Sequence, residues 1–386
     1  MKILFVINNL QMGGIQHSLI ELLKVINNKH QIYLFCANLT GGYVDHIPDN
    51  VIVLPENKYA SAAEKSIKDC KSFIQKFERI LLQAFCKIGL KRLAAKLYVI
   101  LSGNIQGEYD LAISYSQPVD YKTFSCMSNE LVLFSVKAKK KATFLHCDYK
   151  HYGGNNPYNA NLYSKFDYIV SVSESVKKRF LEVLPNLHDK VVVVRNNCDC
   201  NEVNRLASEQ SIVYEKNKVI FVSISRLTSE KGYLRCIPLF KKLLDNGYRF
   251  EWHIIGGGVL FDTIRSEIYS FGLENNIFLE GQQNNPYRFL KNANFLFMPS
   301  FHEAAPLVFD EATAMQIPVL TTNTTSAKEL IERYKHGIVC DNDEESIYNM
   351  LKLSLDSEHN FEFVDSDKYF GLADIQFQEL CNMCLK

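Results

Sequence analysis

Two carboxylates eight positions apart, Glu303 and Glu311, stand in the stretch Pro299–Met315, PSFHEAAPLVFDEATAM. The apolar run Phe295–Met298 stops at Pro299-Ser300, and a helical pattern begins near Pro306, so one carboxylate lies just before that helix and one just inside it. A helix start presents unpaired backbone N–H groups and the positive end of its dipole, which suit a phosphate. A carboxylate beside such a site is better suited to accepting hydrogen bonds from hydroxyls. The pair therefore points to a ligand carrying both groups, as a nucleotide sugar does. The competing account is an exposed helix whose acids are favoured near its N-terminus by the dipole alone.

Three further spots have chemistry to offer. Ser225-Arg226-Leu227-Thr-Ser-Glu-Lys231-Gly232 follows the apolar run Val219–Ser223, and a guanidinium with an ammonium in such a strand-to-helix loop matches the charge of a diphosphate. Gly256-Gly257-Gly258 directly follows Glu251–Ile255, where glycines either admit a ligand to the backbone or make a tight turn. Glu280-Gly281 precedes a polar loop, Gln282–Asn285, able to read a base edge. In the first half, Asn8–Gly14 joins a strand to the helix Ile15–Ile26. Its glycines, Gly13 and Gly14, lack G-x-G-x-x-G spacing, and the second strand, Gln31–Cys36, ends without an acid for a ribose, which argues against a dinucleotide-dependent dehydrogenase. His146 ends a strand within Phe144-Leu-His146-Cys-Asp148, at the ligand edge of a sheet or as a structural histidine.

The elements that must position these residues alternate along the chain. Ile3–Ile7, Gln31–Cys36, Val51–Leu54, Leu111–Ser114, Ala142–His146, Tyr168–Val172 and Lys190–Arg195 read as strands, with amphipathic helices such as Gln16–Ile26 and Ser175–Leu184 between them. The pattern restarts with Val219–Ser223, Glu251–Ile255, Ile277–Glu280, Asn294–Met298 and Val319–Thr321. Apolar runs separated by helices predict parallel sheets covered on both faces. The polar segment Asn196–Asn217 reads as a linker. The expectation is α/β: two doubly wound domains, 1–200 and 201–365, facing across a cleft, followed by a segment 366–386. A length of 386 residues, 47% hydrophobic and 22% charged, suits two soluble cores. Formal net charge is zero, so the whole molecule makes no case for nucleic acid. Eleven scattered cysteines argue for a reducing compartment rather than a disulfide framework, and Cys198-x-Cys200 and Cys381-x-x-Cys384 match metal or redox spacings only weakly. With no signal peptide and no apolar run of about 20 residues, the expected location is cytosolic or peripheral on a cytosolic face.

Taken together, G-G-x5-L at Gly13–Ile20 (Ile20 in the leucine position, with Leu19 beside it), R-L-x3-K-G at Arg226–Gly232, I-I-G-x-G at Ile254–Gly258 and E-x7-E at Glu303–Glu311 resemble the retaining glycosyltransferases of family 4, which have the GT-B fold. Val172-Ser-Glu-Ser-Val and Val193-Val-Arg-Asn-Asn-Cys-Asp199 match further stretches of that family. The resemblance implies transfer of a hexose from a nucleotide sugar, UDP-linked by family habit, to a hydroxyl acceptor with retention at the anomeric carbon. It implies that Arg226 and Lys231 hold the donor diphosphate, that Glu311 binds the ribose hydroxyls and that Glu303 lies at the donor sugar. Gly14 would admit the diphosphate and His146 would reach the hexose. The segment Tyr369–Leu385 resembles the helix that crosses back to the first domain. Ser225 stands where the family has glycine, and Ala304-Ala305-Pro306 replaces its glycine-rich run. Since proline has no N–H, phosphate contacts here should come from the Leu307 and Val308 amides. Two cationic side chains make a metal unnecessary, and the triplets Asp341-Asn-Asp343 and Asp365-Ser-Asp367 read as solvated loops. A GT-B-like epimerase or phosphorylase, or a non-catalytic nucleotide-sugar-binding subunit, would use the same architecture.

The segment Lys58–Leu101 carries ten basic and three acidic residues, a local net of +7, interleaved with Phe73, Ile74, Phe77, Ile80, Leu81, Leu82, Phe85, Ile88, Leu90 and Leu93 at helical spacing. One reading is two helices with apolar stripes on the core and lysines in solvent. The other is a basic amphipathic surface on an anionic membrane. The family's frequent use of lipid-linked acceptors favours the second, with a lipid-linked saccharide as acceptor.

Overall fold

The computed structural model describes residues 1–386 except 71, 117–119, 126, 153, 357–360 and 362–370. It divides into one unit of Met1–Asn197 with Gly371–Lys386 and a second of Cys198–Phe370.

In the first unit the strands β1 (Lys2–Asn9), β2 (Gln31–Asn38), β3 (Ile52–Val53), β4 (Ile105–Ser114), β5 (Val136–Leu145), β6 (Tyr168–Ser171) and β7 (Val191–Val193) form one sheet in the order 3-2-1-4-5-6-7. All neighbouring pairs are parallel. The helices are α1 (Gly14–Ile26), α2 (Phe73–Lys87), α3 (Lys91–Ser102), α4 (Ser128–Ser135), α5 (Pro157–Tyr163) and α6 (Glu174–Val183). The sequence pattern undersized β4 and β5 because their first halves are charged. Lys137 and Lys139 of β5 pair with Glu108 and Asp110 of β4 across the ladder, so the strand continues where apolar residues stop. At its other end β5 closes at Leu145, leaving His146 just beyond the strand rather than in it. The C-terminal helix, described as Leu372–Leu385 with Tyr369 outside the described residues, packs on this unit. Phe377 stacks on Phe5 at 6.1 Å, and Gln376 Oε1 accepts the Arg195 N–H at 3.0 Å.

In the second unit α7 (Cys200–Ser208) opens the chain. The boundary between the units, at Asn197 and Cys198, falls inside the expected Asn196–Asn217 linker, but Cys200–Ser208 of that segment is helical. Asp199 caps it by accepting the Glu202 N–H at 3.0 Å, but only Val203 and Ala207 of its residues are buried, too sparse a stripe to signal a helix. Then follow β8 (Val219–Ile224), α8 (Tyr233–Asp245), β9 (Phe250–Ile255), α9 (Phe261–Ser270), β10 (Ile277–Gly281), α10 (Tyr287–Leu290), β11 (Phe295–Met298), α11 (Leu307–Ala314), β12 (Val319–Thr322), α12 (Ala327–Tyr334), β13 (Gly337–Cys340) and α13 (Glu344–Asp356). Their parallel sheet runs 10-9-8-11-12-13, over a core that includes Phe221, Phe240, Trp252 and Phe297. The strand β13 is only half-buried along its length, which hid it from the hydrophobic pattern.

Helix α2 is oriented against expectation for a core helix. Its buried positions are Glu78, Leu82 and Cys86, spaced four apart, while Phe73, Ile74 and Phe77 are 83%, 69% and 60% exposed. Ile80, Leu81, Ile88, Leu93 and Ile100 are exposed as well, among the exposed cations Lys76, Lys87, Arg92 and Lys96. The apolar stripe faces away from the core. Of the other basic residues in this segment, Lys65 pairs with Glu56, Lys91 is buried with its Nζ on the Asp120 carbonyl, and Lys71 lies outside the described residues.

Candidate functional site

The strand order of the second unit reverses between β8 and β11, and doubly wound sheets bind ligands beyond the carboxyl ends of strands at such a point. The loops leaving these two strands lie side by side. The Phe301 N–H donates to the Glu230 carbonyl at 2.7 Å, and Lys231 Nζ reaches Glu303 Oε1 at 2.6 Å. Ser300 Oγ donates to the same carboxylate oxygen at 2.8 Å. Lys231 and Glu303 are only 13% and 11% exposed, whereas Arg226 is exposed. The close approach of the loops depends on Gly232: its φ is +72°, and a Cβ there would stand 2.1 Å from the Pro299 carbonyl oxygen.

Gly256 and Gly258 serve the same junction. A Cβ on Gly256 would lie 1.8 Å from the Ser225 carbonyl oxygen, and one on Gly258 2.4 Å from that of Leu227. The Leu227 N–H donates to the Gly257 carbonyl at 2.9 Å, so this turn seats the Arg226 loop. These glycines are explained by backbone packing without a ligand. Ser225, in place of a glycine, bonds the Tyr233 hydroxyl at 2.5 Å.

Helix α11 starts after Pro306, whose φ of −69° is ordinary for proline, so Leu307 and Val308 supply the first helical N–H groups, which have no acceptor within the helix. Its two consecutive carboxylates are both buried and diverge. Glu311 Oε1 accepts the Tyr287 hydroxyl at 3.1 Å, and Asp310 pairs with the Tyr334 hydroxyl, which burial and Asp310 push well above the usual tyrosine range. Sequence reasoning missed Ser300, Tyr287 and Asp310. Tyr287 lies in no motif and 24 positions from Glu311, so nothing in the sequence signalled it. Asp343 accepts the Ser346 N–H at 2.8 Å at the start of α13, and Asn342 Nδ2 donates to the Phe301 carbonyl at 3.0 Å; that triplet braces the site loop. The triplet Asp365-Ser-Asp367 lies outside the described residues.

In the first unit the order reverses between β1 and β4. Here the Asn8 N–H donates to Ser116 Oγ at 3.0 Å, and Asn8 Nδ2 to Glu64 at 3.0 Å. Glu64 is a carboxylate at a sheet switch point that the sequence offered only as one acid among many lysines. Gly13 caps α1 in extended backbone, and Gly14 is exposed with no heavy atom within 4 Å of a Cβ, so packing in this unit does not require glycine there. His146 packs tilted against Tyr115 at 4.6 Å and stacks on Phe144 at 5.5 Å, and burial lowers its pKa to about 3. It is a neutral imidazole across the physiological range.

Among the described residues, no group of three or more His, Cys, Asp or Glu is placed to hold a metal ion, and no helix is long and apolar enough to cross a membrane.

Comparison with known proteins bears on this arrangement. Residues 204–365 match the family model for glycosyl transferases group 1. An uncharacterized glycosyltransferase of Methanocaldococcus jannaschii is 29% identical over 46% of this chain and 48% of its own length. The capsular polysaccharide biosynthesis glycosyltransferase CapM of Staphylococcus aureus is 26% identical over 44% and 47%. A Campylobacter jejuni N-acetylgalactosaminyltransferase acting on a diphospho-undecaprenol-linked saccharide is 26% identical over 51% and 53%. The chain thus spans about half the length of the curated relatives it matches. Among solved structures, Anabaena Alr3699/HepE in complex with UDP and glucose superposes with a TM-score of 0.68 at 16% identity, over 99% of both chains. S. aureus TarM superposes at 0.66 and 12% identity over the full length of both. At such identities the likeness shows the fold, which is GT-B, built of two Rossmann-like units. The matched segment begins within α7 and runs past α13, taking in Arg226, Lys231, Glu303 and Glu311.

Proposed function

We propose that the protein is a retaining glycosyltransferase that moves a hexose from a nucleotide sugar, UDP-linked by preference, to the hydroxyl of a lipid-linked saccharide in cell-surface polysaccharide synthesis. The observation that carries this reading is the junction of the β8 and β11 loops, which brings Lys231, Glu303, Arg226 and the start of α11 to one sheet edge. The chemical task is to stabilise a departing nucleoside diphosphate as its charge develops, and fixed donors do this best. Lys231, Arg226 and the Leu307 and Val308 amides take the diphosphate, Glu311 the ribose hydroxyls, and Glu303 with Ser300 the sugar. Two cations and a helix start supply the compensating charge, so the reaction is read as independent of metal. UDP in the HepE and TarM structures and the diphospho-undecaprenol substrate named for the Campylobacter relative support the donor and acceptor classes.

The exposed apolar stripe of α2 and α3, ringed by lysine and arginine, supports docking on an anionic membrane, where a lipid-linked acceptor resides. The test of the central reading is calorimetry with UDP and with nucleotide sugars, followed by assay of UDP release with a lipid-linked saccharide. Wild type should bind UDP, and Arg226→Ala should lower turnover at saturating donor, since its contact strengthens in the transition state. Undiminished turnover in Arg226→Ala, or phosphate-dependent turnover without acceptor, would overturn it.

A further inference from the structure

The thiols of Cys198 and Cys200 lie 4.0 Å apart, sulfur to sulfur, at the start of α7. Cys198 is buried and Cys200 partly exposed. Neither has a part in the proposed transfer, yet they adjoin its machinery. Cys198 belongs to the same core cluster as Val308, Phe309 and Ala312 of α11, and Asn204 Nδ2 of α7 donates to the Ala314 carbonyl at 3.0 Å. The electrostatic environment of the Cys198 thiol includes both Asp310 and Glu311.

We propose that Cys198 and Cys200 form a reversible dithiol–disulfide site, oxidised by a small-molecule disulfide such as glutathione disulfide, whose closure weakens nucleotide binding through α11. Access orders the steps. The Cys200 sulfur, as thiolate, attacks one sulfur of glutathione disulfide, forming a mixed disulfide and releasing one glutathione thiolate. Cys198 then gives up its proton to solvent, and its sulfur attacks Cys200 Sγ, forming the Cys198–Cys200 bond and releasing the second glutathione. Two protein thiols are oxidised and one external disulfide is reduced to two thiols. The Cys198 thiol is held protonated mainly by its hydrogen bond with Cys200, with burial second, and the first cause ends once Cys200 is in the mixed disulfide.

The bond also costs local structure. A disulfide needs its sulfurs about 2.05 Å apart, so Cys200 must move toward Cys198 from its place as first residue of α7. That movement strains the turn held by the Asp199 cap on Glu202 and by the Val203 N–H on the Asp199 carbonyl at 2.9 Å. Strained bridges have more oxidising potentials and are the labile, regulatory kind. The strain passes to α11 through the shared core and the Asn204 contact, and α11 carries Glu311.

The effect on nucleotide rests on the proposed function; the chemistry of the pair does not. The full chain is equilibrated in glutathione buffers of stepped poise, alkylated and digested with trypsin. Cleavage after Arg195 and Arg205 leaves both cysteines in one peptide, Asn196–Arg205. The expected result is a peptide two hydrogens lighter, unalkylated, and restored by dithiothreitol, with Cys198→Ser stopping at the glutathione adduct on Cys200. An alkylated dithiol at every poise, or an adduct that never closes in wild type, would overturn the site. On the closed protein, calorimetry should show UDP binding about tenfold weaker, within the usual range for coupled sites, and the Cys198→Ser/Cys200→Ser variant should bind alike in both buffers. Equal UDP affinity in reduced and oxidised wild type would overturn the coupling. Absence of UDP binding by the reduced protein would sink the functional reading while the mass change still reported on the pair.

Discussion

Replacing Lys231 with alanine should destabilise the second unit as well as remove a ligand contact, and the two effects can be separated. The ammonium and the Glu303 carboxylate are 2.6 Å apart and nearly nine-tenths buried on both sides. Deleting one partner of a buried pair costs about 3–5 kcal/mol because the other charge is left uncompensated. The Ser300 hydroxyl still donates to Glu303 at 2.8 Å, and both side chains keep some solvent access, which places the cost nearer ~2–3 kcal/mol. A unit of this size loses about 2–4 °C in melting temperature per kcal/mol, so Lys231→Ala should melt roughly 5–10 °C below wild type. Lys231→Ala/Glu303→Gln removes the stranded charge and should regain most of that loss. Addition of UDP at about 100 times its Kd stabilises a binding protein by ~2.7 kcal/mol. Wild type should show that rise; neither variant should. Calorimetric melting of the three proteins, with and without UDP, reads all of this. If Lys231→Ala melts with wild type, or the double variant is no more stable than the single, the pair contributes no net energy and the argument from its burial fails.

Glu311→Gln should weaken UDP by one to two decades, from the ~1.5–3 kcal/mol of a hydrogen bond to a charged group; equal discrimination against 2′-deoxy-UDP in both proteins would end the ribose assignment. Gly256→Ala forces a Cβ to 1.8 Å from the Ser225 carbonyl at a φ of +142°, and should cost several kcal/mol by melting, on the scale of strained backbone plus overpacking; a soluble variant of unchanged melting temperature would contradict the packing account. Burial raises the Glu78 pKa to about 7, so the folded state binds its proton more tightly than the unfolded one. That stabilisation is full below about pH 4.5 and is lost as pH rises toward 7, on the order of 2 kcal/mol; a Glu78→Gln protein should lack this decline, and parallel stability–pH curves would refute the linkage. Sedimentation with vesicles should require anionic lipid, weaken with salt, and fall when Lys68, Lys76, Lys87, Arg92 and Lys96 become Gln or Phe73 and Phe77 become Ser; indifference to lipid charge would leave α2 and α3 as scaffold.

What the sequence disclosed and what it withheld follow one physical division. Strand-to-helix order was legible because buried parallel strands are apolar throughout and the loops after them are not. The site loops were legible because backbone junctions admit few residue types: Gly232 and Gly256 are required by carbonyl oxygens 2.1 and 1.8 Å from where a Cβ would stand. Features set by distant side chains left no such trace. The β4–β5 extension is a backbone ladder whose side chains are ion pairs between lysines and acids 29 residues apart, and α7 has a cap and two buried side chains.

The same division explains Lys231 and helix α2. A loop lysine is usually solvated, but a carboxylate 72 positions away takes Lys231 out of water and pairs with it. A diphosphate entering this site would meet a cation already engaged, and the Glu303 carboxylate would then be released toward the sugar hydroxyls that need an acceptor. Helix α2 shows the converse. Its periodicity specified an apolar face without saying which way the face turns, and the direction is set by the one buried row, Glu78, Leu82 and Cys86, seated against the unit. An apolar face turned outward among lysines is the feature that the proposed docking on an anionic membrane would use.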